Sequence, residues 1–222
     1  MTLLAAQTRL FSPNDRLLIV DAGAHHGHTT LEYLKAFPSC RVLAMEPESR
    51  NHGMAAAALA SFADRVDLIR AGLSDHDGHA DLRLTSHDGA HSLLEVGDMR
   101  YYDAPVEVLP PQRIEVRSLD SLCAERGIQS IDILKMDIQG GELLALKGAE
   151  SLLSDGAIKV VALEVLFQPL YRAQPTFWDL ADHFRDRGYA LQGIYEQQHH
   201  AKNHAVLRWA DAVFVGTQMS EI

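Results

Sequence analysis

The sequence predicts one α/β domain in which a mixed, mostly parallel sheet of seven strands carries helices on both faces. Three observations predict this fold class. Short apolar runs alternate with helix-like segments along most of the chain, as expected for strands joined by covering helices. Several of these runs end at an acidic residue followed by a turn. The 222 residues, 47% of them hydrophobic, suit a single core, and we predict one domain over residues 1–222 with its core at about 15–217.

Two strand–turn–helix units and a third strand make up the first part of the chain. The first two strands end at Asp21 and Glu46, and Ser49 is expected to cap the alanine-rich helix that follows the second. Consecutive units of this kind build a parallel sheet. The predicted strands cover residues 17–21, 41–46 and 66–71, and the predicted helices cover residues 28–37 and 49–62.

The middle of the chain departs from this alternation. Two Asp-Gly dipeptides, at 77–78 and 88–89, are typical of tight turns, and the alternating residues 80–85 between them predict a half-exposed hairpin strand. Residues 96–111 contain three prolines and no clear period, so a loop is predicted there.

The alternation resumes in the second half. A serine at 118, glycines at 127, 148 and 188, and buried-type apolar runs predict the remaining elements. The predicted strands cover residues 113–116, 131–137, 158–167, 189–195 and 211–216, and the predicted helices cover residues 118–127, 140–148 and 176–187.

Charge and composition narrow the partners and the compartment. The formal net charge of −10 disfavours nucleic acid and anionic lipid surfaces as partners. The two cysteines cannot form a disulfide framework, and neither a basic leader nor an apolar run of membrane-spanning length is present. We therefore predict a cytoplasmic protein that binds neither membrane nor nucleic acid. The sequence leaves the oligomeric state open, with a homodimer among the options.

The turn after the first strand has the composition of a cofactor turn. Gly23 and Gly27 let the backbone approach a ligand closely, and Glu46 follows at the spacing at which a carboxylate can bind a ribose. A tight strand–helix connection with a solvated acid explains the same residues. The turn lacks the G-x-G-x-x-G pattern for a pyrophosphate, which favours S-adenosylmethionine over NAD.

The motifs of the chain resemble the FkbM-type methyltransferase family in order and spacing over roughly residues 17 to 196. The resemblance implies a Rossmann-like class I methyltransferase fold, S-adenosylmethionine as cofactor, and transfer to a hydroxyl oxygen of a small-molecule or sugar acceptor. The motifs are Asp21-Ala-Gly-Ala-His-His-Gly-His-Thr, Met45-Glu46-Pro47, Gly72-Leu73-Ser74-Asp75, Ser118-Leu119-Asp120-Ser121-Leu122, and residues 131–142, IDILKMDIQGGE.

The same resemblance implies the cofactor contacts. The turn after the first strand would line the methionine end, Glu46 would hold the ribose, and Ser74 would lie toward the adenine. His25 stands where the family usually has asparagine, so one polar contact is altered. The implied cofactor-binding residues are Asp21, Gly23, Ala24, His25, Gly27, Thr29, Glu46, Pro47, Ser74, Asp75 and Asp137.

The proposed chemistry lies after the strand at 131–137. Asp137 and Glu142 are predicted to position the acceptor hydroxyl or remove its proton, with Gln139 beside the acceptor and Glu164 as a further catalytic candidate. Alternatively, Asp137 and Glu142 bind the methionine amine or cap a helix, and Glu164 is a satisfied polar residue at the sheet edge. Lys135 is expected to be an ion-pair partner.

The acceptor is expected to be read by irregular loops at 86–112 and 196–210. Ser92, Tyr101 and Tyr102 are substrate candidates there, whereas Trp178 is expected to pack in the core. The twelve histidines include no tight ligand pattern such as H-E-x-x-H, so most are predicted to be solvated turn residues and no metal is expected.

Three other functions compete with O-methylation. An N-methyltransferase would use the same cofactor motifs, because these encode the donor and not the acceptor. A module that binds the nucleotide without transfer would keep the fold, although the presence of Asp137 and Glu142 speaks against it. An NAD-dependent dehydrogenase is disfavoured by the missing third glycine.

Overall fold

A computed structural model describes residues 1–97, 100–101, 104–200 and 203–219 of the chain. The helices are α1 (Leu3–Gln7), α2 (His28–Ala36), α3 (Ser49–Leu59), α4 (Leu119–Arg126), α5 (Glu142–Lys147), α6 (Glu150–Ser154) and α7 (Phe177–Arg185). The strands of the main sheet are β1 (Leu18–Ala22), β2 (Arg41–Met45), β3 (Val66–Ile69), β9 (Ile131–Met136), β10 (Ile158–Leu166), β11 (Tyr189–His200) and β12 (Asn203–Gly216). The remaining strands are β4 (Gly72–Leu73), β5 (Gly78–Leu82), β6 (Arg100–Tyr101), β7 (Ala104–Pro105) and β8 (Gln112–Arg117).

The main sheet confirms the predicted fold class. Its seven strands lie in the order β11-β12-β10-β9-β1-β2-β3, and β12 alone runs antiparallel to both of its neighbours. From β1 the chain adds β2 and then β3 on one side of that strand. It later adds β9 on the other side of β1, with β10 next to β9. The strand order therefore reverses between β1 and β9, where ligands bind beyond the carboxyl ends of the strands.

Helices cover both faces of this sheet, as predicted. Alternate residues of each central strand face opposite sides, so that Val20 and Leu134 join one core while Ile19 and Ile133 join the other. The first core packs under α4 to α7 and the second under α1 to α3. Burial on both sides explains why these strands read as continuous apolar runs.

The N-cap residue of helix α3 lies one position before the predicted one. The carboxylate of Glu48, and not the hydroxyl of Ser49, caps it by accepting a hydrogen bond from the backbone N–H of Asn51 at 2.8 Å. Ser49 is the first helical residue instead. Short helix α6, which breaks from α5 at Gly148, was not predicted.

A second, small sheet corrects the prediction of a local hairpin in the middle of the chain. Strand β5 is present and half-exposed, but it pairs antiparallel with β8, which lies about 30 residues further along, and β8 also pairs parallel with β4. The predicted loop at 96–111 contains the short strands β6 and β7. This small sheet packs its buried Leu82, Ile114 and Val116 into a separate apolar cluster.

The last hairpin is longer than predicted. An irregular loop was expected at residues 196–210. The described part of that range, residues 196–200 and 203–210, instead extends the ladder of β11 and β12 with several register shifts. Trp178, expected in the core, is 72% exposed. Cys40 and Cys123 are both free and buried. Within the described ranges, no helix has the length and hydropathy needed to cross a membrane.

Candidate active site

A cleft with a volume of about 790 Å³, including its mouth, lies at the carboxyl ends of β1, β2 and β9. We call it the cofactor cleft. It is lined by Gly23, His25, Met45, Glu46, Pro47, Asn51, Ala71, Gly72, Leu73, Leu82, Asp88, Gly89, His91, Leu93, Ile114, Asp137, Ile138, Gln139 and Gly141.

The turn after β1 needs glycine at two positions for different reasons. Gly23 has φ +78°, and a Cβ there would lie 2.0 Å from the carbonyl oxygen of Asp137, so only glycine allows the two strand ends to meet. Gly27 has φ +85° and would meet the side chain of Leu59 on α3. Close packing of α2 against α3 is thus one reason for glycine at position 27, which is not among the lining residues of the cleft, and its predicted cofactor contact stays a prediction.

His25 occupies a left-handed backbone conformation with φ 50°. Histidine and asparagine are both enriched in this region among non-glycine residues, which explains why histidine can replace the asparagine usual in the family. Its backbone N–H donates to Glu46 Oε2 at 2.9 Å. The substitution therefore keeps the turn and changes the side chain that faces the cleft.

Glu46 lies where a ribose-binding carboxylate was predicted. It is 6% exposed, and its two oxygens accept hydrogen bonds from the backbone N–H groups of His25 and Glu48, each at 2.9 Å. Burial raises the pKa of Glu46 to about 7. Each carboxylate oxygen can accept a second hydrogen bond, so the group is fixed in place and still able to bind a ligand. Pro47 lines the cleft beside it.

One end of the cleft is apolar. Ala71, Leu73, Leu82, Leu93 and Ile114 line it, brought together from β4, β5, β8 and the segments beside them. Such a surface suits a flat, weakly polar ring. This end is built by the small sheet, which the sequence did not reveal.

Ser74 and Asp75 lie outside the cleft lining. The backbone N–H of Ser74 donates to the carbonyl of Arg117, its hydroxyl bonds Asp75, and the Asp75 carboxylate pairs with His76 at 2.6 Å. The hydrogen bond from His76 lowers the pKa of Asp75. Their neighbours Gly72 and Leu73 line the cleft, and the predicted adenine contact of Ser74 and Asp75 stays a prediction.

Asp21 lies beneath the turn and not in the cleft. It is fully buried, with Lys135 Nζ 3.2 Å from Oδ1 and the hydroxyl of Thr30 donating to Oδ2 at 2.6 Å. Burial alone would lower the pKa of Lys135, but the charges of Asp21 and Asp137 outweigh it and raise that pKa. Lys135 is thus the ion-pair partner that was predicted, while Asp21 stabilises the turn from below.

Two further residues predicted to touch the cofactor face elsewhere. Ala24 packs in the core shared with α2 and α3. Thr29 lines a second cavity, which lies beside the cofactor cleft and includes Gln7, Thr29, Tyr33, Lys135, Asp137 and Asp211 in its lining. Asp137 lines both spaces.

Asp137 is held by a network of side chains. The amide nitrogen of Gln139 donates to Asp137 Oδ1 at 2.7 Å and to Glu164 Oε2 at 2.9 Å, so one amide joins two carboxylates. Tyr171 donates its hydroxyl to the Gln139 amide oxygen at 2.8 Å, and Ser92 donates to the Gln139 carbonyl at 2.6 Å. Gln139 has φ 55°, a conformation that costs roughly 1–2 kcal/mol. Ser92 and Tyr171 hold it there.

Glu164 belongs to this network and Glu142 lies beside it, and neither residue is among the lining residues of the two cavities. Glu142 accepts a hydrogen bond from the backbone N–H of Ile138 at 3.1 Å, in front of the first turn of α5. Burial raises the pKa of Glu142 to about 7, and burial together with the charge of Asp137 raises the pKa of Glu164 well above its ordinary value. Their predicted contact with the acceptor stays a prediction.

A cluster of His25, His26 and Asp88 sits at the rim of the cleft. The two imidazole rings stack at 3.7 Å, and Asp88 lies 3.6 Å from His25 Nε2 and 3.3 Å from His26 Nε2. Burial and the neighbouring His26 lower the pKa of His25. One donor atom from each residue lies within 4.8 Å of the others, so the cluster could hold a metal ion. The expectation of no metal stays a prediction, and no sequence pattern indicated that Asp88 joins this cluster.

Tyr102 lies outside the described residues, as does the side chain of Tyr101, so their predicted substrate role stays a prediction.

The sheet and the cleft together define the class of protein, a Rossmann-like class I methyltransferase fold. Precorrin-6y C5,15-methyltransferase from Geobacter metallireducens has this fold, with a TM-score of 0.51, 14% identity, and coverage of 95% of this chain and 86% of that chain. TrmK of M. capricolum, solved in complex with S-adenosyl-homocysteine, has a TM-score of 0.53, 10% identity, and coverage of 97% of this chain and 68% of that chain.

Residues 21–191 match the family described as Methyltransferase FkbM domain. The chain therefore belongs to the FkbM methyltransferase family. It is 26% identical to 2-O-methyltransferase NoeI of Sinorhizobium fredii over 170 residues, or 71% of this chain and 66% of the relative. It is 27% identical to Methyltransferase sdnD of Sordaria araneosa over 160 residues, or 60% of each chain. The chain thus spans less than two thirds of these curated relatives.

Proposed function

We propose that this methyltransferase acts on a hydroxyl oxygen of a small-molecule or sugar acceptor. The observation that carries the proposal is the carboxylate of Asp137, which faces both the cofactor cleft and the second cavity while Gln139 fixes one of its oxygens at 2.7 Å. A hydroxyl must lose its proton when its oxygen is methylated, and a positioned carboxylate can accept it. The 2-O-methyltransferase NoeI supports this assignment as a relative.

The residues of the cleft fit an adenosyl compound. Glu46 offers two oriented carboxylate oxygens for ribose hydroxyls, Leu73 and Ile114 offer an apolar surface for a purine, and Gly23 leaves room between the strand ends. His25 faces the same space. When bound, S-adenosylmethionine supplies an electrophilic methyl group. We propose these residues, with Pro47 beside them, as its binding site.

Asp137 performs the acid–base step in this proposal. Its carboxylate accepts the proton of the acceptor hydroxyl and later releases it to solvent. Gln139 is a positioning residue, because its amide fixes the direction of the Asp137 carboxylate and ties it to Glu164. Glu142 and Glu164 act through this network and not on the acceptor, which refines the role expected from the sequence.

N-methylation is the rival proposal. An amine with a free lone pair needs less help from a base than a hydroxyl does, so it would not require Asp137 to be held this firmly. The fixed carboxylate favours oxygen as the acceptor atom. We also propose that the acceptor is not a nucleic acid, since the formal net charge of the chain is −10.

The test is turnover with a panel of small hydroxylated acceptors and amines. Formation of adenosylhomocysteine reports transfer, and carbon NMR of the product distinguishes a methoxy from an N-methyl group. We expect Asp137→Asn to lower kcat by roughly 10²–10⁴-fold and to keep affinity for adenosylhomocysteine. Asp64→Asn, at an exposed position away from the cleft, is the matched control. A methylated amine, or full activity of the Asp137 variant, would refute the proposal.

A further inference from the structure

The second cavity contains polar groups that lack partners. It has a volume of about 730 Å³, including its mouth. The side chain of Gln7, fully buried on α1, makes no hydrogen bond through either amide atom to any residue that the structure describes. The Tyr33 hydroxyl on α2 is buried beside Gln7, but the contact between these two side chains falls outside hydrogen-bond geometry, so neither group is satisfied within the described residues. Unsatisfied buried groups of this kind are costly, which points to a polar ligand.

The lining of this cavity is acidic. Glu32, Asp137 and Glu196 line it together with Asp211, whose raised pKa leaves it mostly protonated at neutral pH, and Lys135 is the one cation among the described lining residues. Lys135 is already neutralised by Asp21, whose Oδ1 lies 3.2 Å from Nζ. A phosphate or carboxylate would therefore meet repulsion here without a free cation to bind it.

The register of the last hairpin places two of these carboxylates together. The pairing of β11 with β12 shifts between Tyr195 and Gln198, and Glu196 between them has φ 46°. A bulge of this kind re-aims a side chain, and here Glu196 hydrogen bonds Asp211 at the cavity wall. Burial and this contact raise the pKa of Asp211 to about 8. At neutral pH the Asp211 carboxyl group can therefore donate a hydrogen bond, while the other acidic side chains of the wall offer acceptor oxygens.

We infer that the second cavity binds the methyl acceptor, and that the acceptor is a polyhydroxylated small molecule without negative charge. The inference rests on the proposed function, because Asp137 is the residue that joins this cavity to the cofactor cleft. Hydroxyl groups both donate and accept hydrogen bonds, as the Gln7 amide and the acidic wall require. A positive group on the acceptor would add attraction, whereas an anionic group would be excluded.

Binding can be tested without turnover. The full chain is first given a saturating concentration of adenosylhomocysteine. Saturation-transfer difference NMR then measures the affinity of three probes: methyl glucoside, glucosamine and glucose 6-phosphate. We expect glucosamine and methyl glucoside to bind and glucose 6-phosphate to bind at least about tenfold more weakly. Binding of the phosphate as tight as that of the neutral sugar, or no binding of either uncharged or cationic probe, would overturn the inference.

The Gln7→Leu variant locates the probes in this cavity. Leucine is of similar size and removes two unsatisfied polar atoms, so we expect a folded protein of equal or greater thermal stability. Affinity for glucosamine should fall about tenfold, while Gln129→Leu, at an exposed position beyond α4, should leave it unchanged. Unaltered glucosamine affinity in Gln7→Leu would overturn the inference. Failure of the wild-type chain to bind adenosylhomocysteine would refute the proposed function instead, so the two failures can be told apart.

Discussion

Glu46 is buried and yet faces a cleft that can hold a ligand. Burial raises its pKa to about 7, and both of its oxygens are held by backbone N–H groups. An amide at this position could accept from His25 or from Glu48, but its NH₂ group would face the other donor. The carboxylate therefore holds the turn after β1 at the end of β2. The same hydrogen bonds orient its oxygens for a ligand.

We predict that Glu46→Gln weakens adenosylhomocysteine binding by about 10–100-fold, because charge-assisted hydrogen bonds contribute roughly 1.5–3 kcal/mol each. Isothermal titration calorimetry measures this directly. Glu115→Gln, an exposed glutamate next to the cleft residue Ile114, is the control and should bind as the wild type does. If Glu46→Gln bound within twofold of the wild type, the ribose assignment would be wrong.

The residues that could be located from sequence are those that directly follow a strand. Gly23, Glu46 and Asp137 each come within a residue or two of the last residue of a strand, so a correct strand prediction placed them at one edge of the sheet. Asp88 and Tyr171 reach the site through tertiary contacts of irregular segments, for which the sequence has no period. Thr29 and Thr30 are adjacent residues of the same type on α2, and only their directions from the helix differ. The sequence could not show that Thr30 is the one that donates a hydrogen bond to Asp21.

At the scale of elements, the helices were located within a few residues because their ends carry chemical signals. Ser118 and Thr176 cap α4 and α7 through their hydroxyls, and Gly127 ends α4 in the left-handed conformation. Strand pairing carries no such signal. The alternation in β5 predicted a half-exposed strand correctly, but only the folded chain determines that β8 is its partner. Helices α1 and α6 span five residues each, too few for a periodic pattern.

The connection between β1 and α2 gives a prediction about backbone geometry. Gly23→Ala places a methyl group 2.0 Å from the Asp137 carbonyl at φ +78°, and we expect it to lower the free energy of unfolding by at least about 2 kcal/mol. The control is Gly53→Ala on α3, where a Cβ meets nothing within 4 Å. That variant should gain about 0.5–1 kcal/mol. Urea denaturation measures both, and equal stabilities of the two variants would contradict the strand-end contact.

The start of α5 gives a prediction about pH. The pKa of Glu142 rises from its ordinary value of 4.5 to about 7 in the folded state, so between these values the folded state binds a proton that the unfolded state has lost. The free energy of unfolding therefore falls as pH rises through this range, by up to about 3 kcal/mol from this residue. The loss is complete above pH 7.

Glu142→Gln should remove this loss while its amide oxygen still accepts from Ile138. We expect the variant to equal the wild type near pH 4.5 and to be more stable at pH 8, as measured by urea denaturation at both values. Comparison with Glu115→Gln, an exposed glutamate, excludes a general effect of charge. A difference between variant and wild type that does not grow with pH would show that Glu142 is not buried as described.

At the scale of the whole molecule, one sheet separates two cores and carries both cavities at one edge. Its central strands serve both cores, so unfolding of either face exposes the other. The existence of a seven-stranded sheet could be inferred from the strands, but their order could not, and only the folded chain shows it. Periodicity reports how a strand is buried and not which strand lies beside it.

We expect thermal unfolding to show one cooperative transition, as predicted for a single domain, and adenosylhomocysteine to shift the whole transition upward. The ligand bridges β1, β2 and the small sheet in the proposed site, so at 100 times its Kd it adds about 2.7 kcal/mol to the folded state. For a domain of this size that corresponds to a rise in Tm of roughly 5–10 °C. Scanning calorimetry with and without ligand measures it, with NAD at the same concentration as the control. A second transition whose Tm does not change with the ligand would show that the chain contains two domains. Stabilisation by NAD in place of adenosylhomocysteine would reverse the cofactor assignment.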